Sequence, residues 1–348
     1  MSSDKMANIP NILLIYTGGT IGMIKDYESD VLKPFDFQNI YENIPELKQL
    51  NCTIETVSFK DPIDSSNMNT DYWVQIIDII ENNYDSKDGF VVLTGSDTMS
   101  YTASAISFMI ENLTKPVIFT GSQLPIGDLR TDAKENLITA IQIASSKNEK
   151  GQPVVTEVGL YFEYKLYRAN RTTKINAEQF EAFTSPNYPS IAESGVHLKF
   201  NESLLLKSSL KKKTIFRKHL EDSIVILKLF PGITKKTVQS MLNVPNLKGV
   251  VLETYGSGNA PTVAWFEELL KDAVKKGIHI VDVSQCVGGG VMLGLYETSN
   301  HLKNIGVIDG KDITTESAVA KLMYLLGENI SKKKFKNVFE KQLRGEMR

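Results

Sequence analysis

Four side chains stand where they could carry out acyl transfer: Thr20, Ser96, Asp97 and Lys174. Each comes after a short apolar run and a turn. Phe90 to Leu93 reads as a strand buried on both faces, Thr94-Gly95 turns the chain, and Ser96-Asp97-Thr98 follow. Ile12 to Tyr16 runs in the same way into Thr17-Gly18-Gly19-Thr20, and Val117 to Thr120 runs into Gly121-Ser122. One Thr-Gly pair means little. Three at strand carboxyl ends argue for one shared crevice, because open α/β sheets place ligands there. Serine and threonine are weak nucleophiles until a base takes their proton. Lys174, at the end of Tyr167-Arg-Ala-Asn-Arg-Thr-Thr-Lys, can act as that base when burial favours the neutral amine. In such a set one hydroxyl attacks, a second held by lysine and aspartate relays the proton, and N–H groups of the glycine turns hold the oxyanion.

Other chemistries are excluded or stay open. His197, His219, His279 and His301 lie away from the Thr-Gly turns, so no Ser-His-Asp arrangement forms. No Cys/His spacing suggests a metal. Thr17 occupies the first glycine position of a dinucleotide loop, and no Gly-Lys-Ser/Thr follows, so a phosphate loop is absent. The plainer readings are structural. Ser96 and Asp97 could cap a helix, and Thr17 and Thr20 could be turn hydroxyls. Arg168, Arg171 and Lys174 could be solvated loop cations. Asp64, Ser65 and Ser66 follow the next strand and could either recognise an amine and a carboxylate or cap the helix beyond.

The elements that must position these residues follow from periodicity. Met99, Ala103, Ile106 and Ile110 give a helix over about Thr98 to Ile110, and Trp73, Ile76, Ile77 and Ile80 give one before it. Arg130 to Asn136 opens a third, with Leu137, Ile141 and Ala144 on its apolar face. Thr53 to Phe59 and Val158 to Phe162 are further strands. From Ile224 a second set alternates: strands at 224–229, 250–253 and 278–283, helices at 262–275 and 315–326. The predicted fold is therefore α/β, two domains with mainly parallel sheets. The expected boundaries are an N-terminal domain over 1–200, a Lys- and Ser-rich linker over 201–222 with Lys211-Lys-Lys213 as solvated surface, and a C-terminal domain over 223–348.

Of 348 residues 42% are hydrophobic, enough for full cores, and the formal net charge of -2 points away from nucleic acid and anionic membranes. Cys52 and Cys286 make no disulfide framework. The first ten residues carry no signal-peptide core, and no apolar run approaches the roughly 20 residues of a membrane span. A cytoplasmic protein with no membrane partner is expected.

Six stretches together resemble the L-asparaginases, most closely their cytoplasmic type I branch. They are Tyr16-Thr-Gly-Gly-Thr-Ile-Gly22, Asp64-Ser-Ser-Asn-Met68, the run from Gly89 to Ala103, Phe119-Thr-Gly-Ser-Gln-Leu-Pro125, the run from Leu166 to Lys174, and Tyr255-Gly-Ser-Gly-Asn-Ala-Pro261. They cover nearly the whole chain, in order. The resemblance implies an asparaginase-like fold that hydrolyses L-asparagine to L-aspartate and ammonia without metal or cofactor, in homodimers or homotetramers with sites near subunit contacts. It implies that Thr20 is the nucleophile and that Ser96, Asp97 and Lys174 are the second hydroxyl, the acid and the lysine. Asp64 and Ser65, with Gly95, take the substrate-binding positions. Asn259 takes a position that reaches a neighbouring subunit's site.

The sequence departs from the family in three ways. Ser96 replaces a threonine, and Thr94 replaces a frequent histidine. At the tyrosine that orients the nucleophile stand Asp30 or Val31, with Tyr27 the nearby candidate. Some bacterial members bind a second, effector asparagine. Thr173 and Cys286 match that site, but Glu253 stands where an arginine would meet the effector's carboxylate and would repel it. Two alternatives stay open, a catalytically weak amino-acid sensor of the same fold and a glutaminase-asparaginase. One methylene separates glutamine from asparagine and discriminates by about 1–3 kcal/mol. A subunit of a transfer-RNA amidating enzyme is disfavoured, because the first strand begins near Ile12 and leaves no room for the extra N-terminal domain of those subunits.

Overall fold

The two apolar runs lie on interior strands of one sheet, as their composition suggests: a strand with no polar face must be covered on both. In the computed structural model, which describes residues 9–25, 32–34, 40–294 and 297–348, β1 (Asn11–Gly18) sits between β2 (Thr53–Ile63) and β3 (Gly89–Leu93). Beyond β3 come β4 (Val117–Thr120), β5 (Val158–Phe162), β6 (Lys165–Arg168), β7 (Ala192–Ser194) and β8 (Leu198–Phe200). The first five strands in chain order pair in parallel, and β5 through β8 pair antiparallel. Tyr16 is level with Leu93, and Leu93 with Thr120, so the three Thr-Gly turns stand side by side at one end of the sheet.

Helices cover both faces. α1 (Thr70–Asn83) and α2 (Met99–Met109) bury the predicted apolar faces, while α3 (Ala133–Ser145) starts two to three residues later than Arg130. There the Thr131 hydroxyl accepts from Ala133 N–H at 3.0 Å, and Asp132 turns to Gln123 and Leu124 instead of extending the helix.

A second sheet of four parallel strands follows: β9 (Ile224–Lys228), β10 (Gly249–Thr254), β11 (His279–Ser284) and β12 (Ile308–Asp309). Its helices are α4 (Lys235–Leu242), α5 (Ala264–Lys276), α6 (Glu297–Ile305), α7 (Thr315–Gly327) and α8 (Lys332–Phe339). α2 packs on α7, so one apolar cluster runs from Leu13 and Val92 through Phe108 to Leu322 and Val251. The two sheets thus share a core. Residues 201–222 are stitched across the first sheet's helices. Asn112 Nδ2 donates to the carbonyls of Ser209 (2.9 Å) and Lys212 (2.6 Å), and Ile215–Phe216 pairs antiparallel with Ile110–Glu111. Lys211 to Lys213 are exposed. No described helix is long and apolar enough to cross a membrane.

Asp282 on β11 is fully buried; it accepts the Thr254 hydroxyl at 2.7 Å, and its Oδ2 has no partner. Burial pushes its carboxyl up to about 7, with Asp309 adding repulsion. The native chain therefore holds a proton here that the unfolded chain gives up near pH 4, and stability falls as pH rises from about 4 through about 7. Asp282→Asn, neutral at every pH, is expected to be more stable than the parent above pH 8 by about 4 kcal/mol, with the gap closing towards pH 4.5. Thermal unfolding of both proteins across that range checks it; a pH-independent difference would show that the carboxyl does not titrate there.

Candidate active site

Glycine sets the geometry of the turns. Gly18 and Gly19 have φ of 132° and 89°, a region other residues rarely enter. A Cβ on Gly18 would strike the backbone of Ile63, and one on Gly19 the backbone of Gly95. A Cβ on Gly95 would meet Ser65 Oγ at 2.5 Å. The ends of β1, β2 and β3 are thereby packed backbone against backbone, which brings Thr20, Ser65, Ser96 and Asp97 to one edge. Tyr16 lies beneath: its ring occupies the space over Gly22, and its hydroxyl donates to the carbonyls of Gly19 and Gly22, each at 3.4 Å. Burial pushes that phenol up to about 12, so it remains a donor under the turn.

Thr20 opens a single 3-10 turn, Thr20–Gly22, with Gly19 at its N-cap, and its side chain is exposed and makes no capping bond. Thr17, in contrast, is buried, and its hydroxyl donates to Leu93 O at 3.0 Å. Thr120 does the same to Tyr161 O at 2.9 Å. These two hydroxyls tie strand ends together, so of the first turn's pair Thr20 alone presents its oxygen to the crevice. The plainer reading of both as turn hydroxyls thus holds for Thr17.

Ser96 and Asp97 do not cap α2. Its N-cap is Thr98, whose hydroxyl donates to Ser65 O at 2.9 Å. The freed side chains meet Lys174 instead. Lys174 Nζ lies 2.8 Å from Ser96 Oγ and 2.7 Å from Asp97 Oδ1, with the lysine side chain 16% exposed and the aspartate 69%. Ser96 Oγ also donates to Gln123 Oε1 at 3.3 Å. Gln123 is fixed in turn by two contacts: its N–H donates to buried Asp132, and its Nε2 donates to Gln179 O at 3.0 Å. The sequence marked Gln123 only as part of the stretch Phe119–Pro125 and gave it no role; its place next to Ser96 follows from β3 and β4 being neighbours.

The plainer reading of Arg168, Arg171 and Lys174 as solvated loop cations fails for both arginines. Arg168 and Arg171 are each 2% exposed. Arg168 Nε donates to Glu157 at 2.6 Å, and Arg171 Nη1 to Asp312 at 2.9 Å. Arg171 Nε also donates to Gly345 O at 2.7 Å. The segment that delivers Lys174 is therefore clamped from both sheets and from the end of the chain, through partners too distant in sequence for any local pattern to reveal.

Asp64 caps the 3-10 turn Ser65–Asn67, not α1, which Asn69 caps. Its carboxylate accepts Ser66 N–H at 2.8 Å and Ser66 Oγ–H at 2.7 Å, and these bonds hold it below the usual carboxylate range. Asn259 sits after β10 in a tight turn, where its N–H and carbonyl pair with Tyr255 at 2.8 and 3.0 Å. Tyr27, Asp30 and Val31 lie outside the described residues. Thr173, Glu253 and Cys286 border one cavity of about 200 Å³, which Glu316 also lines. Glu253 and Glu316 are 8% and 9% exposed; Glu253 accepts the Thr315 hydroxyl at 2.7 Å and Glu316 that of Thr173. Among the described residues no group of three His, Cys, Asp or Glu could hold a metal ion.

Comparison with known proteins bears on the whole chain. A family model described as Asparaginase, N-terminal matches residues 11–206, and one described as Glutaminase/Asparaginase C-terminal domain matches residues 223–339. L-asparaginase 1 of Escherichia coli (strain K12) is 38% identical over 338 residues, 97% of this chain and 98% of that one. The 60 kDa lysophospholipase of Mus musculus is 39% identical over 360 residues, 97% of this chain and 62% of that protein. The crystal structure of L-asparaginase I from Vibrio cholerae matches with a TM-score of 0.86 and 36% identity, covering 97% of this chain and 99% of that one.

Proposed function

The chain belongs to the asparaginase family, in its type I branch, and on that premise we propose how its residues hydrolyse L-asparagine to L-aspartate and ammonia. The Thr20 oxygen attacks the side-chain amide carbon. Its proton passes through the Ser96–Lys174 pair to the leaving nitrogen, the C–N bond breaks, and ammonia departs from an acyl-threonine ester. Water then attacks that ester by the same relay, the C–O bond breaks, and Thr20 regains its proton. N–H groups of the glycine turns hold the oxyanion, and Asp97 keeps the lysine in register with Ser96.

Asp64, held ionised by Ser66, suits the substrate's α-ammonium group, with Ser65 at the α-carboxylate and Gly95 leaving room for both. Asn259 completes the site of a neighbouring copy in a homo-oligomer, and the protein works in the cytoplasm. Ser96 supplies the hydroxyl that a threonine supplies elsewhere in the family. The observation that carries this reading is the Lys174 amine shared between Ser96 and Asp97 at 2.8 and 2.7 Å, on the edge that holds Thr20.

Ammonia release from L-asparagine and L-glutamine tests it. Release from asparagine is expected, with glutamine slower by roughly 10- to 200-fold, the range one methylene gives; binding of asparagine without release would favour the sensor reading. Lys174→Met is expected to lower kcat for asparagine by about 10²- to 10⁴-fold with a smaller change in KM. Undiminished kcat would remove the lysine from the relay.

The rate is expected to rise hyperbolically with asparagine. An effector's carboxylate would meet the buried Glu253 and Glu316 at the second cavity. A sigmoidal curve would show that the cavity accepts it all the same.

A further inference from the structure

A charged lysine leaves Ser96 with a hydrogen to place. An ammonium has three donors and no acceptor. Lys174 Nζ gives one N–H to Asp97 Oδ1, its ion-pair partner, at 2.7 Å and another to Ser96 Oγ at 2.8 Å. The Ser96 hydroxyl accepts from that ammonium, so its own hydrogen must point elsewhere.

Gln123 receives it. Ser96 Oγ donates to Gln123 Oε1 at 3.3 Å. The amide can face only one way: its Nε2 donates to Gln179 O at 3.0 Å, which leaves the oxygen, an acceptor, for Ser96. Both ends of this arrangement are anchored. Gln123 N–H donates to Asp132 Oδ2 at 3.0 Å, and Asp132 is buried and also accepts from Leu124 N–H at 3.1 Å and Asn136 Nδ2 at 3.2 Å. Gln179 lies in the turn just after Lys174, where Asn176 Oδ1 accepts the N–H groups of Glu178 and Gln179 at 2.8 and 3.0 Å.

We infer that Gln123 is a positioning residue of the relay, its amide oxygen taking the Ser96 hydroxyl hydrogen whenever Lys174 is an ammonium. The inference rests on the proposed reaction, in which that state recurs at every attack. Thr20 gives its proton to Ser96 Oγ as Ser96 gives its own to the lysine. Ser96 then carries the proton from Thr20 beside an amine that no longer accepts. Gln123 Oε1 holds that hydrogen until the C–N bond breaks and the leaving nitrogen takes it, while Lys174 returns a proton to Ser96. Gln123 itself gains and loses no proton.

Two substitutions separate this role from a merely structural one. Gln123→Met and Gln123→Glu keep the length of the side chain, and both lose the donor to Gln179 O. Only the glutamate keeps an acceptor for Ser96, and its charge lies within about 6 Å of the Lys174 amine, close enough to favour the ammonium. Ammonia release from L-asparagine is followed across the neutral to alkaline range, with thermal unfolding to show that each variant is folded. Gln123→Met is expected to lose about five- to tenfold in kcat, the worth of one hydrogen bond, with KM changed less than about twofold. In Gln123→Glu the rise of kcat with pH is expected about one pH unit higher than in the parent, and above it kcat should exceed that of Gln123→Met. Two results would overturn the inference: kcat of Gln123→Met within about twofold of the parent, or equal kcat and the parental pH profile in both variants, as loss of the tie to Gln179 alone would give. If either appears while Lys174→Met shows its expected loss, the relay stands and only the part given to Gln123 falls. An undiminished Lys174→Met removes both.

Discussion

Thr20→Ala is expected to leave a folded protein whose ammonia release from L-asparagine falls by at least about ten-thousandfold, a loss of about 5.5 kcal/mol of transition-state stabilisation. The size follows from the proposed role, in which no acyl ester forms without the attacking oxygen and neither half of the reaction has a route. The preserved fold follows from the geometry. Thr20 is exposed, caps nothing, and rides on a turn whose shape is set by Gly18, Gly19 and the Tyr16 ring beneath. Thr20→Ser, which keeps the oxygen, should retain turnover within about a hundredfold. Measuring both variants at matched thermal stability separates chemistry from folding. If the alanine protein works within tenfold of the parent, another oxygen is the nucleophile.

Glu346→Ala is the substitution expected to cost most in stability, about 3–5 kcal/mol. Glu346 and Lys321 are both fully buried and form an ion pair, and the lysine also donates to the carbonyls of Phe339 and Lys341 at 2.6 and 2.8 Å. The carboxylate accepts N–H groups of Leu343 and Arg344 as well. Removing it strands a buried ammonium and two backbone donors together. Burial lowers the Lys321 amine to about 8 despite the pair. In the parent, then, the charged pair is present below pH 8 and is lost above it, so the deficit of the variant should be full at pH 7 and shrink by pH 9.5. Denaturant unfolding at the two pH values checks this. A deficit under 1 kcal/mol at pH 7 would mean that the pair contributes little.

The parts of this molecule that were legible in its sequence are those written in local pattern. Ile12 to Tyr16 and Phe90 to Leu93 announce interior strands because every position is apolar. The Thr-Gly turns announce a crevice because each follows such a strand. Lys174 was identified by residue type and by resemblance, and the structure sets it against Ser96 and Asp97. What stayed hidden depends on long-range pairing. Arg171 looks like a surface cation until Asp312, 141 positions on, is placed beside it. Gln123 gains its place from strand order alone. Thr17 and Thr20 look alike in sequence, and only the pairing of β1 with β3 turns one inward and leaves the other exposed. The residues from 201 to 222 read as a linker from their composition, while the bonds from Asn112 that pin them could not be inferred from it.

The clamp on the lysine segment also has a bearing on synthesis. Arg171 gives its Nε–H to the carbonyl of Gly345, 174 positions later, and Asp312, the other partner of Arg171, is itself held by the N–H and guanidinium of Arg348. At translation rates of roughly 5–20 residues per second, about 10 to 35 seconds separate the emergence of the relay lysine from that of the residues that lock it. During this interval the first sheet can form with its turns in place, yet the lysine loop lacks its far-side anchor. On the proposed mechanism a nascent chain with Thr20, Ser96, Asp97 and Lys174 already outside the ribosome is expected to turn over poorly until residues 345–348 dock against Arg171 and Asp312.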